Sequence, residues 1–233
     1  MAAACSGRLT ADWRENNPDV EPASELISLL RTSAPEEHLD IFKESSQSEI
    51  PLSWIWVPLG KLGTLTSGGT PSKANYDFWN GCIPWVSPKD MKQDRISGSI
   101  DHITEEAISS SSVKKIPPGA ILFVVRGMIL NHTLPVAITD DFITINQDMK
   151  ALTPECLEMS EYLFIASKSV SKDILFFVKE ATHGTRRIET PVLRSWAIPI
   201  PPLAEQKEIV RRVETLFKIA DQIEQRYQKA KHT

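Results

Sequence analysis

Cysteine is scarce in this chain: three copies among 233 residues, at Cys5, Cys82 and Cys156. An odd number of widely spaced cysteines argues against a disulfide framework and a paired-cysteine metal site, and reads as the reduced thiols of a cytoplasmic protein. No apolar run approaches the roughly 20 residues that cross a bilayer. The opening Met1-Ala-Ala-Ala-Cys-Ser-Gly-Arg8 holds too short an apolar stretch for a secretory signal. Signatures of chemistry are missing as well: there is no Ser-His-Asp pattern, no H-E-x-x-H, no G-x-G-x-x-G and no adenine-methylation motif of the N-P-P-Y kind. The five histidines are scattered. No catalytic residue, metal or cofactor is therefore expected. A strong charge of one sign is also absent. The net charge of −4 does not by itself suggest a polyanionic partner.

The charge that is present is unevenly placed. Residues 1–53 carry 4 basic and 10 acidic side chains, residues 54–200 carry 15 of each, and residues 201–233 carry 7 basic and 5 acidic. A neutral segment still presents a basic face where its cations cluster, because the local field matters more than the total. Hydrophobic content of 41% and charged content of 24% are ordinary for a soluble protein. The length suffices for one sizeable core with an appendage.

Three regions follow from the pattern. Residues 1–49 are acidic and punctuated by Pro18, Pro22 and Pro35, as in a surface linker. Their first 14 residues resemble the end of a preceding helix. A short helix is expected from Ser24, its N-cap, to Arg31, with Leu26, Leu29 and Leu30 on one face. Residues 50–202 read as one globular domain. Strands are expected at Trp54–Pro58, Gly63–Ser67, Ile83–Val86, Ala120–Val125, Val136–Ile138 and Ile143–Asn146, and helices at Lys89–Met91, Thr104–Ser109 and Ser160–Val178. Pro199, Pro201 and Pro202 then exclude helix and sheet ladder, leaving a stiff extended strap. From Leu203 onward, Ile209, Val213, Leu216, Ala220, Ile223 and Tyr227 alternate in steps of 4 and 3, one stripe on a long helix that needs a partner. The fold expected is α+β: a curved β-rich domain with helices, followed by one long coiled-coil-type helix.

Candidate contact residues sit on loops. Gly68, Gly69, Thr70, Ser72 and Lys73 form a glycine-rich loop without P-loop spacing. It is either a tight turn or a place where backbone N–H groups, hydroxyls and Lys73 approach phosphate oxygens. Lys89 and Lys92 flank Asp90, which either caps a short helix or accepts from a cytosine amino group. Arg126 lies at a strand end beside Gly127, with Asn131 close behind. Arginine suits a guanine edge and asparagine an adenine edge, while an internal ion pair is the plainer alternative for Arg126. Thr185, Arg186 and Arg187 follow His183-Gly184 on a short loop, suited to phosphate forks and guanine edges or to a solvated charged turn. Asn146 and Gln147 read either adenine or their own loop backbone.

Ile198-Pro-Ile-Pro-Pro-Leu-Ala-Glu-Gln206 resembles, letter for letter, the strap of the type I restriction–modification specificity subunits. Gly68-Gly-Thr-Pro-Ser72, Ile83-Pro-Trp-Val-Ser-Pro-Lys-Asp90, Pro117-Pro-Gly-Ala-Ile-Leu-Phe123, Arg126-Gly127, Asn146-Gln147 and Gly184-Thr185 extend the resemblance in order across residues 50–231. The resemblance implies a non-catalytic subunit whose target-recognition domain, residues 50–202, reads double-stranded DNA. It implies that residues 203–233 form a conserved spacer and dimerisation helix. The implied partners are DNA methyltransferase subunits and restriction (nuclease/translocase) subunits, with no membrane. Full members of this family carry two recognition domains and two helices, and this chain carries one of each. It therefore fits a homodimer or pairing with a second half. An assembly factor that binds methyltransferase through its helix without reading DNA is the alternative.

Overall fold

The computed structural model describes residues 2–30, 49–180 and 184–231. In chain order, α1 (Ala2–Cys5), α2 (Ala11–Glu15) and α3 (Ala23–Leu29) precede β1 (Ile55–Pro58), β2 (Gly63–Ser67), β3 (Trp79–Val86), β4 (Arg95–Ile96) and β5 (Asp101–Ile103). Then come α4 (Glu105–Ser109), β6 (Ile121–Val124), β7 (Val136–Thr139), β8 (Thr144–Ile145), β9 (Met149–Pro154) and α5 (Ser160–Ser169). Last are β10 (Lys179–Glu180), β11 (Arg186–Arg187), α6 (Thr190–Ser195), β12 (Ala197–Ile200) and α7 (Leu203–Lys231). The architecture is α+β, as expected.

The central sheet has the order β2-β9-β6-β7-β4, antiparallel except for the parallel β4–β7 edge. A second sheet, β5-β3-β8, flanks it, and β1–β12 and β10–β11 form two-stranded ladders. Strand β6 is buried on both faces, so it lacks the apolar–polar alternation of a half-exposed strand. Ile121 and Phe123 enter a core shared with α5, Trp54, Leu59, Leu62 and Trp196. Leu122 points the other way, into a core with Val86, Ile96, Ile116, Ile143 and Ile145. The period of two along the strand produces both cores from one tetrapeptide. In α5, Tyr162 through Ala166 are all buried, so this helix is wrapped by protein rather than lying on the surface.

Four expectations need correction. The strap is not free of ladder: β12 pairs with β1, with Pro199 opposite Trp56. The Pro199 carbonyl accepts instead from the buried Tyr162 hydroxyl, so the side of residue 199 that lacks an N–H faces away from β1. Lys89–Met91 is a turn and not a helix, because the Asp90 carboxylate accepts from Ser87 N (2.8 Å), Ser87 Oγ (2.9 Å) and Ile100 N (2.9 Å). The helix expected through Val178 stops at Ser169. Ser171 Oγ takes the Lys168 carbonyl, and the chain continues as a 3-10 turn, Asp173–Phe177.

The fourth correction concerns the amino-terminal stretch, which is packed and not a bare linker. Ala4, Cys5 and Ala23 are buried in the main core. The short helix starts at Ala23 with Pro22 before it, and Leu26 and Leu30 pack inward while Leu29 is exposed. Residues 31–48 of the expected linker lie outside the described residues. Among the described residues, no helix is long and apolar enough to cross a membrane.

Candidate nucleic-acid interface

Strands β2 and β6 run together and β7 and β9 run against them. The loops after β2 and β6, and those before β7 and β9, therefore share one end of the sheet. These are the loops that hold Gly68–Lys73, Arg126–Asn131 and Asn146–Asp148. Strand β11 joins the same end. Arg187 bridges Arg126, Gly127 N donates to Arg186 O (2.9 Å), and Ile188 N donates to Val125 O (2.9 Å). Backbone bonds thus fasten two arginine loops that lie some sixty residues apart in sequence. His183 lies outside the described residues.

Each arginine has a contact within the chain. Arg126 Nη1 lies 3.7 Å from Asp148 Oδ1, Arg187 Nη2 lies 2.5 Å from Glu189, and Arg186 Nη1 lies 3.3 Å from Glu180. Arg186 Nε also donates to Asn131 Oδ1 at 2.8 Å. Arg186 and Asn131 therefore hold one another, whereas the side chains of Arg126 and Arg187 remain 48% and 44% exposed with one acidic contact each. A guanidinium offers five donors, so both keep most of their capacity.

The glycine-rich loop is built for its own fold. Gly68 N and Gly69 N already donate to Met149 O and Ile145 O. A Cβ on Gly68 would stand 1.8 Å from the Asn146 carbonyl oxygen. The glycines permit a close approach of backbone to backbone, and their amides are not free for phosphate. Trp85 Nε1 takes the Gly69 carbonyl, and Trp79 Nε1 takes that of Ser72. Thr70 bonds the Gln147 side chain. Ser72 and Lys73 are exposed, Lys73 without an ion pair among the described residues, and Thr185 is half-buried. Asn146 is buried and turns back on Asp148, which leaves it as loop structure.

Lys89 and Lys92 line an open cleft of about 320 Å³ with Asp90, Arg95 and Ile100. Lys89 Nζ is 2.7 Å from Asp101, and that hydrogen bond raises its pKa above the ordinary lysine value. Arg95, which sequence reasoning did not single out, ties Asp140 (2.6 Å) to Glu161 (3.0 Å). Lys150 was also missed. Its side chain is buried in β9, donates to Ser67 Oγ at 2.6 Å, and burial pushes its pKa down. Among the described residues, no group of three or more acidic, histidine or cysteine side chains is placed to hold a metal.

The long helix spans Leu203–Lys231, with the start expected. Its stripe divides. Ile209 and Val213 are buried against this chain's own core, so they are not available to a partner. Leu216, Ala220, Ile223 and Tyr227 are exposed, and Phe217 and Ile219 widen that apolar face. The most buried charge among the described residues was also missed. Glu205, fully buried, accepts from Thr10 Oγ1 (2.6 Å), Trp54 Nε1 (2.8 Å) and Arg14. Arg212 adds Asp12 (2.6 Å) and the Leu9 carbonyl (2.7 Å). A glutamate beside a glutamine in an otherwise apolar first turn is a weak signal of this, visible in sequence but ambiguous with a solvated face.

The model of the type I restriction modification DNA specificity domain matches residues 51–232. The chain is 43% identical over 156 residues to the type I restriction enzyme EcoR124I/EcoR124II specificity subunit of Escherichia coli, covering 66% of this chain and 39% of that subunit. It is 31% identical over 173 residues to the MjaIX specificity subunit of Methanocaldococcus jannaschii, covering 72% and 39%. The match thus spans about two-fifths of the length of these relatives. In structure it is similar to the HsdS subunit from Thermoanaerobacter tengcongensis, with a TM-score of 0.58 at 16% identity over 94% of this chain and 47% of that one. A chain solved in a study of assembly and conformational transition of the type I R-M system gives 0.61 at 18% identity, over 96% and 50%. At such identities these two likenesses concern the fold alone. With 182 consecutive positions under the family model, the chain belongs to the family of type I restriction modification DNA specificity domains.

Proposed function

We propose that this chain is the non-catalytic, sequence-specific DNA-recognition part of a cytoplasmic type I restriction–modification complex, and that it directs separate methyltransferase and restriction subunits to a split target site. Residues 50–202 act as the recognition domain. The observation that carries this reading is the convergence of Arg126 and Arg187, half-exposed, on backbone fastened to a rigid sheet end. In the major groove all four base pairs are distinguishable, and a good bidentate contact gives roughly 1–3 kcal/mol of discrimination. The acidic contacts of these arginines are exposed pairs worth about 0–1 kcal/mol, so a phosphate or guanine edge displaces them at little cost. Arg186 and Asn131 brace the loop; Lys73, Lys89 and Lys92 serve phosphates.

The 29-residue helix α7 is about 40 Å long at 1.5 Å per residue, a little over one turn of DNA. Its exposed half pairs with a second copy or with the matching half of a longer subunit, and so fixes the gap between two half-sites. The helix also offers surface to the methyltransferase.

The test is selection from a randomised duplex pool by the chain mixed with its methyltransferase partner, with the recovered sites sequenced. A two-fold symmetric split motif supports a dimer of chains, and a single short half-motif supports a missing second half. Changing Arg126, Arg186 and Arg187 to Ala abolishes the enrichment; unchanged selection sinks the loop assignment. A second reading, the assembly factor, has one observation in its favour: every candidate arginine already meets a carboxylate. A stable methyltransferase complex without any enrichment would establish it.

A further inference from the structure

Between Arg126 and Asn131 the chain makes a short 3-10 turn, Met128–Asn131, that carries two apolar side chains into solvent. Met128 is 60% and Ile129 42% exposed, while Leu130 next to them is 2% exposed and anchors the turn in the main core. Gly127 opens the turn at φ 136° and ψ 162°, a backbone conformation that side chains rarely adopt. The turn is held firmly. Leu130 N bonds Gly127 O, His132 N and Thr133 N bond Ile129 O, Gly127 N bonds Arg186 O, and Arg186 Nε bonds Asn131. Two adjacent apolar side chains on a rigid projection, flanked by Arg126 and Arg187, match a surface that is anionic outside and apolar at one kind of point within. The major groove is such a surface, because thymine places a 5-methyl group there.

We propose that Met128 and Ile129 are specificity-determining residues that read thymine through its 5-methyl group while the neighbouring arginines engage phosphates or guanine edges. The proposal rests on the DNA-recognition reading above and names what one part of that face recognises. It predicts at least one thymine in each half-site whose methyl group carries binding energy. It assigns that energy to this turn rather than to the arginines.

The experiment uses the chain with its methyltransferase partner and synthetic duplexes bearing the recovered site, with each thymine replaced in turn by deoxyuridine. At one or more positions the replacement should weaken binding about fourfold, the worth of one buried methyl group. The double variant Met128→Ala, Ile129→Ala should bind the thymine duplex correspondingly more weakly and lose the distinction between thymine and deoxyuridine. Met128→Leu should keep it. Thermal unfolding of the double variant should match the parent, since both side chains are exposed. A recovered site with no deoxyuridine effect, or with an effect undiminished in the double variant, overturns the proposal while DNA recognition stands. Recovery of no site overturns both. Loss of methyltransferase association in the double variant, with thymine discrimination intact, overturns it in favour of a protein contact.

Discussion

From Leu203 to Val213, α7 lies against the rest of its own chain, with Glu205, Gln206, Ile209 and Val213 buried. From Leu216 to Tyr227 the apolar side chains are 47–61% exposed. The same 4-and-3 spacing runs through both halves. The difference comes from what surrounds the helix: α5, the Arg8–Thr10 turn, α2 and the Trp54 segment close over the first three turns and stop there. The first half is the root of the helix and sets its direction relative to the recognition domain. The second half presents an apolar face that isolated solvent contact does not favour. A heptad therefore shows which face is apolar, and the polar partners at the root show which part of it is already spent.

The sharpest way to break this comparison is at Glu205. Replacing it by Ala strands Arg14, Thr10 Oγ1 and Trp54 Nε1 around a cavity. Breaking a buried charge pair in this way costs about 3–5 kcal/mol. Urea unfolding of the parent and the variant measures it, and a loss below about 1 kcal/mol would show that the root is held by apolar packing instead. Glu205→Gln, which keeps the shape, should lie between parent and Ala. Next in size is the pair Ile209→Ala and Ile223→Ala. Ile209 is fully buried, so its truncation should fall within the roughly 2–5 kcal/mol of a core isoleucine. Ile223, 61% exposed, should change the stability of the isolated chain by about 0.5 kcal/mol or less. If the exposed half pairs as proposed, Ile223→Asp should shift the sedimentation of the assembled species toward the single chain while leaving unfolding unchanged. Equal destabilisation by both Ala variants would erase the distinction between root and arm.

The legible parts of the fold were those with enough length or punctuation to show a pattern. Gly63–Ser67 has the bounds expected of it, because Gly68-Gly69 ends it. The start of α7 was set by the last proline of the strap. Strand β9 was missed: it is buried on both faces and holds Lys150 and Pro154, so it shows no alternation. Of the two-residue strands, β8 falls inside an expected one, while β4, β10 and β11 carry no period at all and exist through their partners. The same holds for the candidate site. Arg126 and Arg186-Arg187 stand out in sequence, as arginines beside glycines. That they share one sheet end, and that Arg186 is tied to Asn131, depends on long-range pairing through β11. At Gly68 the sequence left a tight turn and a phosphate approach both open, and an Asn146 carbonyl, invisible in sequence, accounts for the glycine by the turn alone.

The smallest expected effect concerns acid. Glu208, one turn past Glu205, accepts hydrogen bonds from Arg211 and Arg212, and these, Arg211 foremost, hold its carboxyl at about 2 against an ordinary 4.5. Asp12 is lowered as well, first by its hydrogen bond to Arg212. A carboxylate with a depressed folded pKa stabilises the fold above its unfolded value. That contribution is lost as pH falls through the folded value. Acidification from about 4.5 toward 2 should therefore weaken the ion pairs of Glu208 within α7, and protonation of Asp12 below its ordinary range should loosen the amino-terminal segment from the root of α7. Both groups lie at the surface, so solvent screens the pairs and the drop in Tm should be smaller than that of either core variant. Carboxyl NMR gives the site-resolved check. Arg212→Ala should return Asp12 toward its ordinary value and move Glu208 part of the way. Arg211→Ala should move Glu208 further and leave Asp12 where it is. If Asp12 stays low without Arg212, the Asp12–Arg212 tie between the amino-terminal segment and the helix does not persist in solution, and Glu205 carries the polar fastening of the root beside the packing of Ile209 and Val213.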